Sequence, residues 1–214
     1  MHNKRIFYTV VLLLFLALLF QSSIFLQEIL REFTGSLIGF EEFNPRSAMI
    51  LFVLFASLSV LAGPFSSFPL VPPAVLIWGL PMTLVLLYLG WLMGNCIAYF
   101  IGRFFGRFLV DKIVGEAKVG NWINSLKAKL TFFYLLLFRI ATPSETGYAF
   151  GVIHYDFAKY LIISMLAELP FVLLMVYAGE AFTRSSTYAL ISLVWIWAII
   201  IFLALYFFRK ASKR

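Results

Sequence analysis

Three ionisable side chains stand where hydrocarbon would leave them without partners. Arg139 closes the apolar run from Phe132 to Phe138, Glu145 follows the Pro143-Ser144 break, and Glu168 lies between Ala167 and Leu169. Ionisable groups inside apolar segments are expensive, and they mark substrate paths, proton relays or buried pairs. A guanidinium presents a planar fork of donors that matches a phosphate bidentately. Arg139 is therefore the first candidate for an anion contact. A structural role is also open to it: satisfying the broken backbone around Pro143, or pairing with Glu145 or Glu168. Glu145 reads either as the first-turn carboxylate of a return helix capped by Ser144, or as a proton-exchanging group. Glu168 precedes Pro170, whose missing N–H frees a carbonyl near Leu166; it lines a cavity or serves structure alone.

Further polar residues extend this set. Asn95 is mid-span, where it could face the same path or bridge helices by hydrogen bonds. Arg103 and Arg107, spaced one helical turn apart at the end of an apolar run, either anchor that end or bind lipid head groups. Gly94, Gly102 and Gly106 read as close-packing positions. His154 and Asp156 read as a solvated turn.

Several chemistries are excluded. Cys96 is the sole cysteine and His2 and His154 the only histidines, so neither a disulfide nor a three- or four-ligand zinc site is expected. Cys96 reads as a small packing residue. The chain has no glycine-rich phosphate loop, no Gly-x-Ser-x-Gly elbow and no His-Glu-x-x-His. No enzyme, metal or cofactor is expected. The net charge of +7 comes from residues at the ends of apolar runs, among them Lys4, Arg5, Arg103, Arg107, Arg209, Lys210, Lys213 and Arg214. That pattern orients helices against an anionic leaflet and gives no basic stripe for nucleic acid.

The elements that must position these residues belong to a bilayer. Apolar residues make up 63% of the chain and charged residues 13%, against ~45–50% and ~25% in soluble domains. The 25 phenylalanines alone exceed what one soluble core of a 214-residue chain would hide. A spanning helix needs ~20 predominantly apolar residues. Residues 6–26 provide the first, expected to be a retained anchor because Gln21-Ser22-Ser23 is a poor cleavage site. Residues 27–46 mix Glu28, Arg31 and Glu32 with Phe33, Leu37 and Phe40, as an interfacial amphipathic segment or a solvated loop would.

Residues 47–78 are apolar but carry Gly63, Pro64, Pro69, Pro72 and Pro73. One straight helix cannot hold these breakers, and the freed backbone groups cannot face lipid. A re-entrant hairpin is expected: in over 47–61, a turn near 63–69, and out again. A span follows over 83–101, then a polar stretch over 103–129 read as a cytoplasmic loop. Residues 130–150, with Arg139, Pro143 and Glu145, form a second broken segment. Spans over 157–178 and 188–208 complete the chain. Basic segments share one side of the membrane only if the two hairpins enter from opposite faces. The expectation is an all-α integral membrane protein with four transmembrane helices and two opposed re-entrant hairpins in an inverted repeat. A short echo, residues 99–103 against 176–180, supports the repeat. Both termini are expected to be cytoplasmic, in a bacterial or archaeal plasma membrane. The expected division is 1–46 (anchor and interfacial segment), 47–182 (core) and 183–214 (last helix and basic tail).

The pattern Gly94…Tyr99-x-x-Gly102-Arg103-x-x-Gly106, the Arg139…Pro143 element, and Gly151 with Phe157 resemble the VTT-domain superfamily over residues 45–182. This group includes the bacterial DedA proteins and the eukaryotic SNARE-associated Golgi proteins. The resemblance implies two re-entrant hairpins facing each other across the membrane midplane, and lipid translocation. The substrates it implies are undecaprenyl phosphate or a phospholipid. DedA proteins carry an acidic residue in the first hairpin and Arg-x-x-Pro-x-x-Arg in the second. Here 47–79 holds no Asp or Glu, Pro143 follows Arg139 by four positions, and Glu145 stands near the place of a second arginine. The chain is thus nearer to the wider superfamily than to DedA proper. The expected function is a flippase or scramblase that contacts the lipid phosphate through Arg139 and Pro143. Glu145, Glu168 and Asn95 line its path or exchange protons, and Arg103 and Arg107 lie at its cytoplasmic end. A proton- or ion-coupled small-solute transporter is the alternative, followed by a structural membrane factor and a membrane-embedded lipid enzyme.

Overall fold

The computed structural model describes residues 44–61, 67–128 and 130–212, together with Gly35 and Gly39. The expected anchor at 6–26, nearly all of the 27–46 segment and the turn at 63–66 lie outside these residues. The chain divides into two compact units, Met1–Pro45 and Arg46–Arg214, and the second carries the helical bundle. Among the described residues the chain is all-α, and three helical stretches are long and apolar enough to cross a membrane: Phe68–Val114, Phe157–Thr183 and Thr187–Phe208. Together with its composition, this makes the protein an integral membrane protein.

Helix α1, Pro45–Leu61, opens on a proline at a position whose N–H has no intrahelical partner. A short 3-10 turn, Phe68–Leu70, leads into α2, Val71–Val114. Pro72 and Pro73 fall in the first turn of α2, where their missing donors are harmless. Two glycines interrupt α2: Gly79 (φ 74, ψ 169) and Gly106 (φ 64, ψ −163). Both occupy a backbone region that is essentially restricted to glycine. Pro81 comes directly after the first interruption, in the opening turn of the renewed helix. Alanine at either glycine is expected to destabilise the protein by about 1–3 kcal/mol. Unfolding midpoints in detergent micelles would test this, and unchanged midpoints for both variants would contradict it.

Within the 103–129 stretch expected as a loop, residues 103–114 and 116–128 are helical instead. They form the end of α2 and then α3, Glu116–Ala128. Glu116 complements the N-terminus of α3, and buried Val119, Ile123 and Leu126 give the helix an inward stripe. Polarity suggested a loop, but an amphipathic helix has the same composition. Helix α4, Phe132–Ala141, is only 10 residues long, about 15 Å and so half of a ~30 Å hydrocarbon core. A 3-10 turn, Ser144–Thr146, and the short α5, Gly147–Val152, follow. Helices α6, Phe157–Thr183, and α7, Thr187–Ser212, complete the bundle. Asp156 caps α6 by accepting from the Lys159 N–H at 2.9 Å, beside the exposed turn residue His154 (φ 56).

One small-residue stripe on α2 organises the packing. A methyl group at Gly90 would lie 2.8 Å from Val53 O, and one at Gly94 would lie 2.5 Å from Ser57 O. The paired numbers rise together, so α1 runs parallel to this part of α2 and the chain doubles back between them. Further along the stripe, Ala98 meets Gly147, and Gly102 meets the Tyr148 backbone. Helix α5 therefore also runs parallel to α2, end to end with α1 along the same face. Gly106 does not continue the stripe. A methyl there would touch nothing within 4 Å, so its glycine serves the chain break and not packing.

The two halves of the bundle repeat certain contacts. Trp91 Nε1 donates to Ser67 Oγ at 3.2 Å, and Ser144 Oγ donates to Glu168 Oε1 at 3.2 Å. Gly102 packs on Tyr148, and Gly179 packs on Val71. Each later residue stands 77 positions after its counterpart: 67 and 144, 91 and 168, 102 and 179, 71 and 148.

Candidate functional site

The second break in the helical run is built around Pro143. Thr142 is extended (φ −122, ψ 157), as a residue before proline prefers, and this ends α4. Thr142 Oγ1 donates to Phe138 O at 2.6 Å, so one freed carbonyl is satisfied locally. Pro143 O accepts from Thr146 N at 3.1 Å, from Thr146 Oγ1 at 2.9 Å, and from Arg139 Nη1 at 3.2 Å. These two carbonyls of the broken backbone are thus satisfied by protein groups, as a segment at membrane depth requires.

Arg139 lies in the last turn of α4, where a cation complements the helix terminus. Its Nη2 pairs with Glu168 Oε1 at 2.8 Å, with the side chains 1% and 6% exposed. Nη2 also donates to Asn95 Oδ1, and Nη1 reaches Thr146 Oγ1 at 3.2 Å. Asn95 is fully buried and links three helices. Its Nδ2 donates to Trp91 O at 3.0 Å and to Glu168 Oε1 at 3.1 Å. Tyr160 OH, from α6, donates to Asn95 O at 3.1 Å and lies 3.3 Å from Asn95 Oδ1. The two structural roles open to Arg139, holding the broken backbone and pairing with a glutamate, coexist, and the glutamate is Glu168.

This polar cluster borders a cavity of ≈ 620 Å³. Arg139, Thr142, Ser144 and Glu168 are its polar lining, while α6 and α7 supply apolar walls through residues such as Phe171, Leu174, Leu193 and Trp197. Among the described residues no group of three or more His, Cys, Asp or Glu side chains could hold a metal.

The structure gathers Asn95, Arg139, Pro143 and Glu168, but not the other candidates. Glu145 does not line the cavity; its carbonyl accepts from the Gly147 N–H, and its carboxylate has no hydrogen bond or ion pair among the described residues. Ser144 caps no helix; its hydroxyl goes to Glu168. Arg103 and Arg107 lie away from the cavity. The interruption at Gly106 falls between them, so they do not share a continuous helical face. Arg103 donates to Tyr99 OH at 3.0 Å, which in turn donates to Tyr155 O. Arg107 pairs with Asp111 at 3.1 Å. Tyr155 lies between α5 and α6, where burial and then neighbouring Asp156 push its phenol up from the ordinary value. Sequence reasoning missed Thr146, Tyr160 and Trp91. A polar or aromatic group in an apolar run was the available signal, but such groups are frequent here and their partners are distant in sequence.

Comparison with known protein families matches residues 63–181, more than half of the chain, to the VTT domain. The chain belongs to the VTT-domain family. Neither the curated proteins nor the solved structures gave a match. Membership supports a general role in handling or transporting membrane lipids. The VTT match contains the whole Asn95–Arg139–Glu168 cluster. It does not reach α7, so the wall formed by Leu190, Leu193, Val194, Trp197 and Ile201 lies outside the VTT domain.

Proposed function

We propose that this VTT-domain protein is a lipid transporter, of flippase or scramblase type. In this reading a phosphate-bearing head group meets the Arg139–Glu168–Asn95 cluster while its hydrocarbon chain runs along the α6 and α7 walls. One observation carries the proposal: a roomy apolar-walled cavity is bordered by a buried charged pair. Charges are costly at membrane depth, and an amphiphile is the ligand whose two chemistries match both parts of this lining. Undecaprenyl phosphate and phospholipids both have that form. Pro143 belongs to the site through its carbonyl. Glu145, Arg103 and Arg107 do not line the cavity and would meet a head group only outside it. The protein would act as a transporter and not an enzyme, with protons as the coupling ion where transport is driven.

The topology that serves this function is four spans with two opposed re-entrant hairpins. Three features support it: the half-membrane length of α4, the parallel seating of α1 and α5 on one stripe, and the constant offset of 77 positions between matched contacts. The core would be 47–182, flanked by the 1–46 and 183–214 segments. Both termini would be cytoplasmic, in a bacterial or archaeal plasma membrane. Cysteine labelling of the 116–128 helix should give the same side as the C-terminus, and labelling from the opposite face would remove the hairpin topology.

The functional test is reconstitution of the full chain in liposomes. Flipping of labelled phospholipids with several head groups is measured beside proton and ion flux. Lipid flipping is the expected result. Flux without flipping would assign the small-solute reading instead. Filling the cavity by Ala178→Phe or Val194→Phe, both at lining positions, is expected to slow flipping severalfold without loss of folded protein, because the apolar wall must accept a chain.

A further inference from the structure

The donors around the buried pair are distributed unevenly. Arg139 Nη2 at 2.8 Å, Asn95 Nδ2 at 3.1 Å and Ser144 Oγ at 3.2 Å all converge on one oxygen of Glu168, Oε1. They come from α4, α2 and the turn between α4 and α5. Three convergent donors, one of them charged, make a seat for a single anionic oxygen. Arg139 Nη1 is satisfied by Pro143 O and Thr146, and the second Nη2 hydrogen by Asn95 Oδ1. Of the three guanidinium nitrogens only Arg139 Nε is buried with no partner. Nε and Nη2 form the side edge of the guanidinium fork, the edge that binds two oxygens of one anion. Buried donors without partners are rare in folded proteins, and this one belongs to a residue that lines the cavity.

We propose that Glu168 Oε1 occupies the seat of a substrate phosphate oxygen, and that an anionic head group binds by displacing this carboxylate. The inference rests on the lipid-transport reading of the same cavity. A phosphate oxygen placed at Oε1 inherits the donors from Arg139, Asn95 and Ser144. A second oxygen of the tetrahedral group then accepts from Nε, completing the side-on fork. Glu168 is thus an internal competitor for its own protein's ligand. Such competition holds affinity down, and a transporter must release its cargo as readily as it captures it.

Glu168→Gln tests this directly. The amide keeps the acceptor at Oε1 and so keeps the bonds from Asn95 and Ser144, but it removes the competing charge. The full chain is placed in phosphatidylcholine nanodiscs, and labelled phosphatidic acid and inorganic phosphate are titrated in separate arms. Glu168→Gln is expected to bind phosphatidic acid about tenfold more tightly than the wild type, since a neutral acceptor yields a charged donor more easily. Adding Ser144→Ala to that variant should return part of the gain, because one donor to the seat is lost. Equal or weaker binding by Glu168→Gln, with binding still lost in Arg139→Gln, would overturn displacement and leave the lipid reading standing. Wild-type binding by folded Arg139→Gln would remove both. Tightening for inorganic phosphate alone would keep the displacement and overturn the lipid as the source of the anion.

Discussion

Arg139→Ala is expected to reduce lipid flipping by about 30-fold or more, the effect of losing 2–5 kcal/mol of buried charge-pair interaction with the head group. Truncation removes the one cation among the described residues of the cavity wall and with it the donors that reach Pro143 O, Thr146, Asn95 and Glu168. It also leaves Glu168 buried without a counter-charge, which costs about 3–5 kcal/mol of stability when one partner of a buried pair is lost. Two causes of inactivity must therefore be separated. The double variant Arg139→Gln/Glu168→Gln does so, because it strands no charge and can keep neutral hydrogen bonds across the site. It should fold, migrate as one species in detergent, and still fail to flip lipid. Flipping is scored in proteoliposomes per folded protein. Wild-type rates from the folded double variant would show that the cation is structural and that transport proceeds elsewhere.

Much of this site could be read from the sequence because the membrane penalises whatever function does not need. Arg139 and Glu168 stood out against apolar neighbours, and Pro143 and the glycine–proline run at 63–73 announced breaks that hydrocarbon forbids without internal partners. The long apolar helices around 83–101, 157–178 and 188–208 followed from length alone. The pairing within the site did not. Glu145 is nearer in sequence to Arg139 than Glu168 is, yet Glu168 is the partner, because α6 returns past the break and α4 ends at it. Ser144 looked like a cap from its place before a helix, but a 3-10 turn intervened and sent its hydroxyl to Glu168. Gly106 shared its spacing with Gly94 and Gly102, and spacing cannot distinguish a packing glycine from one that turns the chain. The cavity wall from α7 had no signal at all. An apolar helix facing lipid and one facing a lipid-binding cavity have the same composition.

The second large effect concerns the contact at which α2 and α5 meet backbone to backbone. A methyl group at Gly102 would run into the Tyr148 carbonyl, and one at Gly151 into the Tyr99 carbonyl. These are reciprocal faces of one contact between α2 and α5, and neither obstacle is a side chain that could rotate away. Gly102→Ala or Gly151→Ala must therefore push α5 off the stripe. Overpacking of this kind costs about 1–3 kcal/mol and sometimes more. The shift would reach the site directly, since α5 follows the turn that carries Ser144 and Thr146, and Tyr160 OH packs against Gly147. Both variants are expected to lower the unfolding midpoint and to slow flipping together. Gly179→Ala should be milder, because its methyl would meet the Val71 side chain at 2.7 Å, and a side chain can adjust. Gly120→Ala should be neutral or stabilising by up to about 1 kcal/mol, since its nearest neighbour is the Arg107 guanidinium at 3.6 Å. Unfolding midpoints should rank Gly102 and Gly151 variants lowest, then Gly179, then Gly120 at or above wild type. A Gly120 variant as damaged as Gly102 would show that helix propensity, and not the backbone contact, sets the order.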